Sequence, residues 1–433
     1  MKWFLTLLPI PLMVAAFEGL PHYSMTQWEN IFWYSCAFVF GVLLSAFGYE
    51  FIRSLERMRT GTLATARFGN RKELQQGGLN DKEGLIVAKV GSKLLRYNKP
   101  GHLITVSKTR GGKGVSSVIP NLLDHKGSVF CVDIKGENHA ITAKRRAALS
   151  TVFTLAPFEA VSNCYNPLDF IRYGPDEIDD AALIASLIVV PGEASIDSFW
   201  DVEAQSLLTG LILYVVRHMP KEKQNLAEVR KLLTLGEDDF NDCLDAMMHS
   251  PHPWIKRAAT AFSQKAEKER SAVISTAQSH TKVFDSPRLM KITSSSEFRL
   301  EDLKLHAISL YLNIPPHQIA VYRPYLRLMV GLAQAAMTRN KAIPEHPVLF
   351  LLDEFPALGK MPIGGFAYLA GYGVNLWVFT QSIGQLEAIY GKQVDAILSN
   401  CGVTQVWSLA PSDYKTAEHV SRTLGDKTVV TYS

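Results

Sequence analysis

His102-Leu-Ile-Thr-Val-Ser-Lys-Thr-Arg-Gly-Gly-Lys-Gly-Val-Ser116 starts as a β-branched apolar strand and ends in a lysine bracketed by glycines. A helical pattern over Val115–Leu123 follows directly. Strand, glycine loop and helix in that order suit a phosphate cradle: the glycines let successive backbone N–H groups turn toward an anion at the helix N-terminus. Gly111, Gly112 and Gly114 give that freedom, and Lys113 gives a mobile ammonium for the outer phosphates. Two positions depart from the usual pattern. Ser107 stands where its first glycine belongs, and Gly114 replaces the hydroxyl that normally touches magnesium. Alone, the stretch also fits an ordinary glycine-rich turn.

A second stretch narrows the choice. Val348-Leu-Phe-Leu-Leu-Asp-Glu354 is an apolar strand ending in two carboxylates. Asp353 at such an end reaches a magnesium ion through water, and Glu354 can polarise an attacking water. Gln381 ends the strand Leu376–Thr380, as a γ-phosphate sensor, a water positioner or a structural strand-end amide. Asp133 and Lys135 close the strand Ser128–Asp133, at the edge where open α/β sheets hold ligands. They either touch nucleotide or mark a charged strand-to-loop boundary.

Further runs are Val152–Leu155, Ala307–Ile314 and Thr404–Leu409, and most of the runs are apolar throughout rather than alternating. Such runs predict strands covered on both faces, and with helical patterns such as Tyr322–Thr338 between them they predict an α/β parallel sheet. Between about residues 175 and 298 strand signals fade. Asp179–Val190, Val202–His218, Leu226–Leu233, Asp238–His249 and Pro253–Ala266 read as successive amphipathic helices, an all-helical insertion.

The 433 residues suffice for two or three folded units, and a net charge of +4 makes no case for nucleic acid from composition alone. Five scattered cysteines without a CxxC pattern predict reduced thiols and no zinc site. Local basic clusters are Lys144, Arg145, Arg146 and Lys265, Lys268, Arg270, either solvated faces or phosphate contacts.

The amino-terminal sixty residues hold two apolar runs, Trp3–Phe17 and Ile31–Gly48. The second is uncharged and about long enough to span a bilayer, with Trp28, Trp33 and Tyr34 near its start. Arg53, Arg57 and Arg59 follow it, so the positive-inside bias puts residue 50 onward in the cytoplasm. The first run reads as the other arm of a membrane hairpin or, with Lys2 and Val14-Ala-Ala16, as a signal peptide.

The chain resembles the type IV secretion coupling proteins, the TraG/TraD-like conjugation ATPases, from about residue 60 to its end. The stretches carrying the resemblance are Thr109-Arg-Gly-Gly-Lys-Gly-Val115 with Ile119-Pro-Asn-Leu-Leu123, Asp133-Ile-Lys-Gly-Glu137, Tyr165-Asn-Pro-Leu-Asp169, Phe199-Trp200 with Leu207–Tyr214, Leu352-Asp-Glu-Phe-Pro-Ala-Leu358, Gly371-Tyr-Gly373, and Thr380-Gln-Ser382 with Gln385-Leu386 and Tyr390-Gly391. The resemblance implies an α/β RecA-like P-loop NTPase with an all-helical insertion and an N-terminal transmembrane hairpin. It divides the chain into an anchor of two helices and a short extracytoplasmic loop at 1–60, a nucleotide-binding part at 61–174, the helical insertion at 175–298 and a second nucleotide-binding part at 299–433. It implies ATP and Mg2+ at a site where Thr109, Arg110, Gly111, Gly112, Lys113, Gly114 and Val115 bind nucleotide. There Lys113, Asp353, Glu354 and Gln381 serve catalysis, and Asp353 holds Mg2+ through water. Glycine often follows the loop lysine in this family, so Gly114 is a family trait. The resemblance also implies a homo-hexamer in the bacterial inner membrane with a cytoplasmic ATPase domain. Its partners are type IV secretion channel components and relaxase–DNA complexes or effector proteins.

Two features depart from the family. Some relatives carry an arginine finger eleven residues before the motif glutamine, where this chain has Ala370; Arg323, Arg327 and Arg339 are the nearby substitutes. The sequence also stops at Ser433, sooner after the Gln381 strand than is usual, which points to a truncated second nucleotide-binding part. Alternative functions are another RecA-like DNA translocase and a non-hydrolysing docking receptor.

Overall fold

The structure is a computed structural model that describes residues 25–60, 66–190 and 198–426. It divides into two compact units, one of residues up to Phe68 with those from Ser421, the other Gly69–Val420. In the first unit Met25–Thr60 forms one helix of 36 residues. Its segment Trp33–Ile52 is long and apolar enough to cross a membrane, and none of it is buried. The run Trp3–Phe17, and with it the expected hairpin, lies outside the described residues. Phe199–His218 passes the same length and composition test, yet 61% of it is buried, as befits a core helix.

The second unit is built on a parallel sheet of β3 (His102–Ser107), β4 (Val129–Val132), β5 (Thr151–Leu155), β6 (Ile308–Leu312), β7 (Val348–Leu352), β8 (Val374–Thr380) and β9 (Cys401–Trp407), in the order β5-β6-β4-β7-β8-β3-β9. All seven strands overlap apolar runs picked out in the sequence, although β9 begins three residues before the expected Thr404–Leu409 and ends two before its end, and β8 begins two residues before Leu376. The sequence pattern did not reveal the antiparallel hairpin β1 (Leu85–Val90) and β2 (Lys93–Tyr97). Its signal is short: a two-residue Gly91-Ser92 connection between half-polar strands.

The inner strands are buried along their whole length because successive side chains enter opposite faces. Ile104, Val106, Phe130, Val132, Phe350, Leu352 and Val378 join one large core with the helices. Leu103, Val129, Cys131, Leu349, Leu351, Trp377 and Phe379 join the other, with Leu85, Val87 and Tyr97 of the hairpin.

Between β5 and β6 the described residues hold helices and no strand: Glu177–Ile188, Ser198–His218, Leu226–Leu233, Glu237–Met248, Pro253–Ser263, Glu267–Thr281 and Pro287–Ile292. Asn225 caps one of them, accepting from the Glu228 N–H at 3.0 Å. The helix Ile319–Arg339 approaches Glu177–Ile188 so closely that a Cβ on Gly331 would stand 2.3 Å from Leu187 Cδ2.

The basic cluster Lys144–Arg146 is corrected by this packing. Arg146 is fully buried under the sheet. Its Nε donates to Ser309 Oγ at 2.7 Å, its Nη2 to the Gly127 carbonyl at 2.7 Å and its Nη1 to the His125 carbonyl. Consecutive residues on a helix point about 100° apart, so Arg146 faces the sheet while Lys144 and Arg145 face outward. Arg146→Ala leaves buried acceptors unmatched and a void. It is expected to cost about 3 kcal/mol, read as a lower urea midpoint at constant m-value.

Candidate functional site

The parallel neighbours β7, β8 and β3 all end at one edge of the sheet, and each delivers one polar side chain there. Lys113 follows β3, Gln381 follows β8, and Glu354 follows β7. The Lys113 ammonium lies 3.0 Å from Glu354 Oε1, and Gln381 Nε2 donates to Glu354 Oε2 at 3.1 Å. Lys113 is 8% exposed, whereas the Glu354 side chain is 28% exposed, so the ion pair is buried on the lysine side and open to water on the glutamate side. Three residues far apart in sequence thus meet at one strand edge.

The loop before Lys113 has the geometry that its glycines allow. Gly112 adopts φ 91°, a region that side chains rarely enter. A Cβ on Gly111 would stand 2.1 Å from Ser107 Oγ, so the serine at the pattern's first position is accommodated by a bare residue opposite. The helix opens with a π turn over Gly114–Val118, and a Cβ on Gly114 would meet nothing within 4 Å. The missing hydroxyl therefore leaves open space beside the lysine. Thr109, Arg110 and Val115 lie exposed on the flanks of the loop.

Asp353 lies next to this pair, its Oδ1 accepting from the Glu354 N–H at 2.9 Å. Burial pushes its carboxyl above the usual range; Lys113 opposes the shift, and Glu354 and Asp133 add to it. Asp133, at the end of the adjoining β4, is raised by burial as well, but its Oδ2 accepts from the His139 N–H at 2.8 Å. Asp133 thus caps the helix Glu137–Arg146, while Lys135 stays exposed in the turn.

Two residues unflagged by the sequence pattern complete the surroundings. Trp407 Nε1 donates to the Gly111 carbonyl at 2.9 Å, and buried Gln405 accepts from Thr105 Oγ1 at 2.6 Å. Only the pairing of β9 with β3 brings them to the loop, so no local pattern announces them.

Two substitute arginines are committed elsewhere. Arg327 is buried, donating to the Leu187 and Ile188 carbonyls at 2.6 and 2.7 Å. Arg339 pairs with Asp180 at 2.8 Å and Glu301 at 2.6 Å and stacks 3.3 Å over Phe170. Arg323 is exposed beside Gly359. Ala370 precedes β8 at the opposite edge of the sheet, a strand length of about 20 Å from Lys113. In the second basic cluster Lys265 pairs with Glu203 at 2.9 Å and lies over Phe199.

A family model described as Type IV secretory system conjugative DNA transfer matches residues 58–433. A conjugal transfer protein TraG of Escherichia coli is 32% identical over 415 residues, covering 84% of this chain and 65% of its own length. A second TraG from Escherichia coli is 34% identical over 383 residues, covering 82% and 58%. The chain therefore spans less than two thirds of either relative. Among solved structures, the plasmid coupling protein TrwB in complex with the non-hydrolysable ATP analogue ADPNP superposes with a TM-score of 0.64 at 17% identity, covering 83% of each chain. TrwB has also been solved with ADP and Mg2+. That likeness establishes the shared fold.

A buried acid whose folded pKa is raised stabilises the fold in its protonated form, and that contribution is lost as pH rises through the folded pKa. Asp353→Asn keeps the acceptor for the Glu354 N–H and removes the charge. It is expected to raise the melting temperature of the nucleotide-free protein by about 2–4 °C at pH 8, and by less near pH 4.5. Equal melting temperatures at both pH values would overturn this electrostatic account.

Proposed function

The chain belongs to the type IV secretory system conjugative DNA transfer family, and on that premise we propose that it is a membrane-anchored coupling ATPase. It receives a relaxase–DNA complex or an effector protein and drives it into a type IV secretion channel. The single observation that carries the ATPase reading is the convergence of Lys113, Glu354 and Gln381 beside a glycine loop. TrwB, which shares the fold, binds an ATP analogue and ADP with Mg2+, and this supports ATP and Mg2+ here.

The chemistry follows from the groups present. Without phosphate, the Lys113 ammonium is neutralised by Glu354. A triphosphate offers it a stronger anionic partner, and Lys113 turns to the outer phosphate oxygens. Glu354 then accepts the proton of an attacking water, which Gln381, already hydrogen-bonded to that carboxylate, helps to orient. The N–H groups at Gly112–Gly114 face the phosphates at the start of the helix. Asp353 is a buried carboxylate with too little positive charge around it, and the space beside Gly114 is open, so these residues fit a hydrated divalent cation. A magnesium ion held there through water would neutralise charge on the phosphate oxygens.

In this proposal the four sequence segments keep their expected roles: anchor at 1–60, nucleotide-binding parts at 61–174 and 299–433, helical insertion at 175–298. The helix Met25–Thr60 supports attachment to the bacterial inner membrane, and the arginines after its apolar part support a cytoplasmic ATPase. The assembly is a homo-hexamer. With Arg327 and Arg339 committed inside the chain, any cation supplied across a subunit boundary comes from elsewhere, and Arg323 is the exposed candidate.

Lys113→Ala is expected to weaken ATP binding and to abolish turnover. Glu354→Gln is expected to bind ATP and lower its hydrolysis by at least about 100-fold. Both are read by phosphate release from the detergent-purified chain with and without DNA. Unchanged turnover in both variants would sink the site assignment, and ATP binding without turnover in the wild type would favour the docking receptor.

A further inference from the structure

The end of β9 reaches over the glycine loop. Ser107 and Trp407 are register partners on β3 and β9, so the tryptophan stands beside the loop's first residues. Its indole N–H donates to the Gly111 carbonyl at 2.9 Å. Nearby, the Lys108 N–H donates to the Ser408 carbonyl at 3.4 Å, and the Gly111 N–H to the Lys108 carbonyl at 3.0 Å.

β9 is itself pinned from below. Gln405 Oε1 accepts from Thr105 Oγ1 at 2.6 Å and from Ser117 Oγ at 3.4 Å, and its amide donates to the Val87 carbonyl. Thr105 in turn accepts from Trp377 Nε1 at 2.9 Å. This network ties β9 to β3, β8, the hairpin and the helix that follows the loop. The position of Trp407 is therefore set by buried polar contacts, independently of the loop it touches.

A trans peptide is planar, so its C=O and N–H point in opposite directions. Holding the Gly111 carbonyl fixes the N–H of the next residue, Gly112, on the other side. Gly112 has the positive φ that this plane requires, at 91°. The indole thus acts on the one peptide unit between two glycines, the most mobile link in the loop. We infer that Trp407 is a positioning residue for nucleotide binding: its indole N–H holds the Gly111–Gly112 peptide with the Gly112 N–H facing the phosphate position.

This inference rests on the nucleotide reading of the site. It is tested with Trp407→Phe, which keeps an aromatic ring on β9 and removes the donor. Calorimetric titration of the full detergent-purified chain with MgATP is expected to give a Kd about five- to tenfold weaker than wild type, the scale of one amide-type hydrogen bond. The nucleotide-free melting temperature is expected to stay within about 2 °C, a shift of less than 1 kcal/mol. A Kd within twofold of wild type overturns the inference. So does a weaker Kd accompanied by a large fall in melting temperature, because that is the signature of a merely structural tryptophan. A wild-type chain that binds no MgATP fails the nucleotide reading itself, and the inference falls with it.

Discussion

The register of three adjacent parallel strands governs this molecule. Leu351, Trp377 and Leu103 are aligned across β7, β8 and β3; β7 stops at Leu352, while β8 runs on to Thr380 and β3 to Ser107, and past these ends the chain delivers Glu354, Gln381 and Lys113 to one place. Side chains alternate along a strand, so a slip of one residue in any of the three would send its whole apolar set to the wrong face. The double-sided core prevents that slip. Ile104, Val378 and Leu352 are committed to one cluster, and Leu103, Trp377 and Leu351 to the other. Packing on both faces is therefore what holds the lysine 3.0 Å from the glutamate.

The same dependence explains what the sequence made legible. The central strands are recognisable because a strand buried on both faces is apolar at every position, a signal that needs no partner to be read. Lys113, Asp353, Glu354 and Gln381 are recognisable because each sits at the end of such a run. The hairpin β1–β2 escapes because its strands are half exposed and mix lysines and arginine with leucines. Gln405 and Trp407 escape for a different reason. Their roles exist only once β9 has paired with β3, some 300 residues earlier in the chain. Arg146 is illegible for a related reason: it lies about 100° around the helix from exposed Arg145, and its partners, Ser309 and the Gly127 carbonyl, meet it only in the folded sheet.

Charge is distributed unevenly between the edge and the rest. Elsewhere buried carboxylates are matched by cations, as with Glu177, which takes Arg217 and His252 together, or Asp180, which takes Arg172 and Arg339. At the carboxyl edge Asp353 and Asp133 are both disfavoured as anions, and the nearest ammonium is already held by Glu354. Positive charge arriving at this edge would relieve that cost, and in the proposed nucleotide site a hydrated divalent ion would supply it.

Backbone strain follows the same geography. Among the described residues, those other than glycine with positive φ are Arg110, Glu354 and Ser408, at 61°, 46° and 51°. Each follows the end of a sheet strand: β3, β7 and β9. A left-handed conformation costs an ordinary L-residue on the order of 1–2 kcal/mol. Nothing in the sheet core needs that strain, since the strands pack equally well whatever follows them. At Glu354 the sharp turn brings a carboxylate back over the sheet edge toward Lys113 instead of letting the chain run on. At Arg110 and Ser408 it folds two loops against each other beside Gly111. Strain placed where a charged group must be aimed, and offset by the buried apolar core, marks the edge as the part of the fold shaped by chemistry rather than by packing.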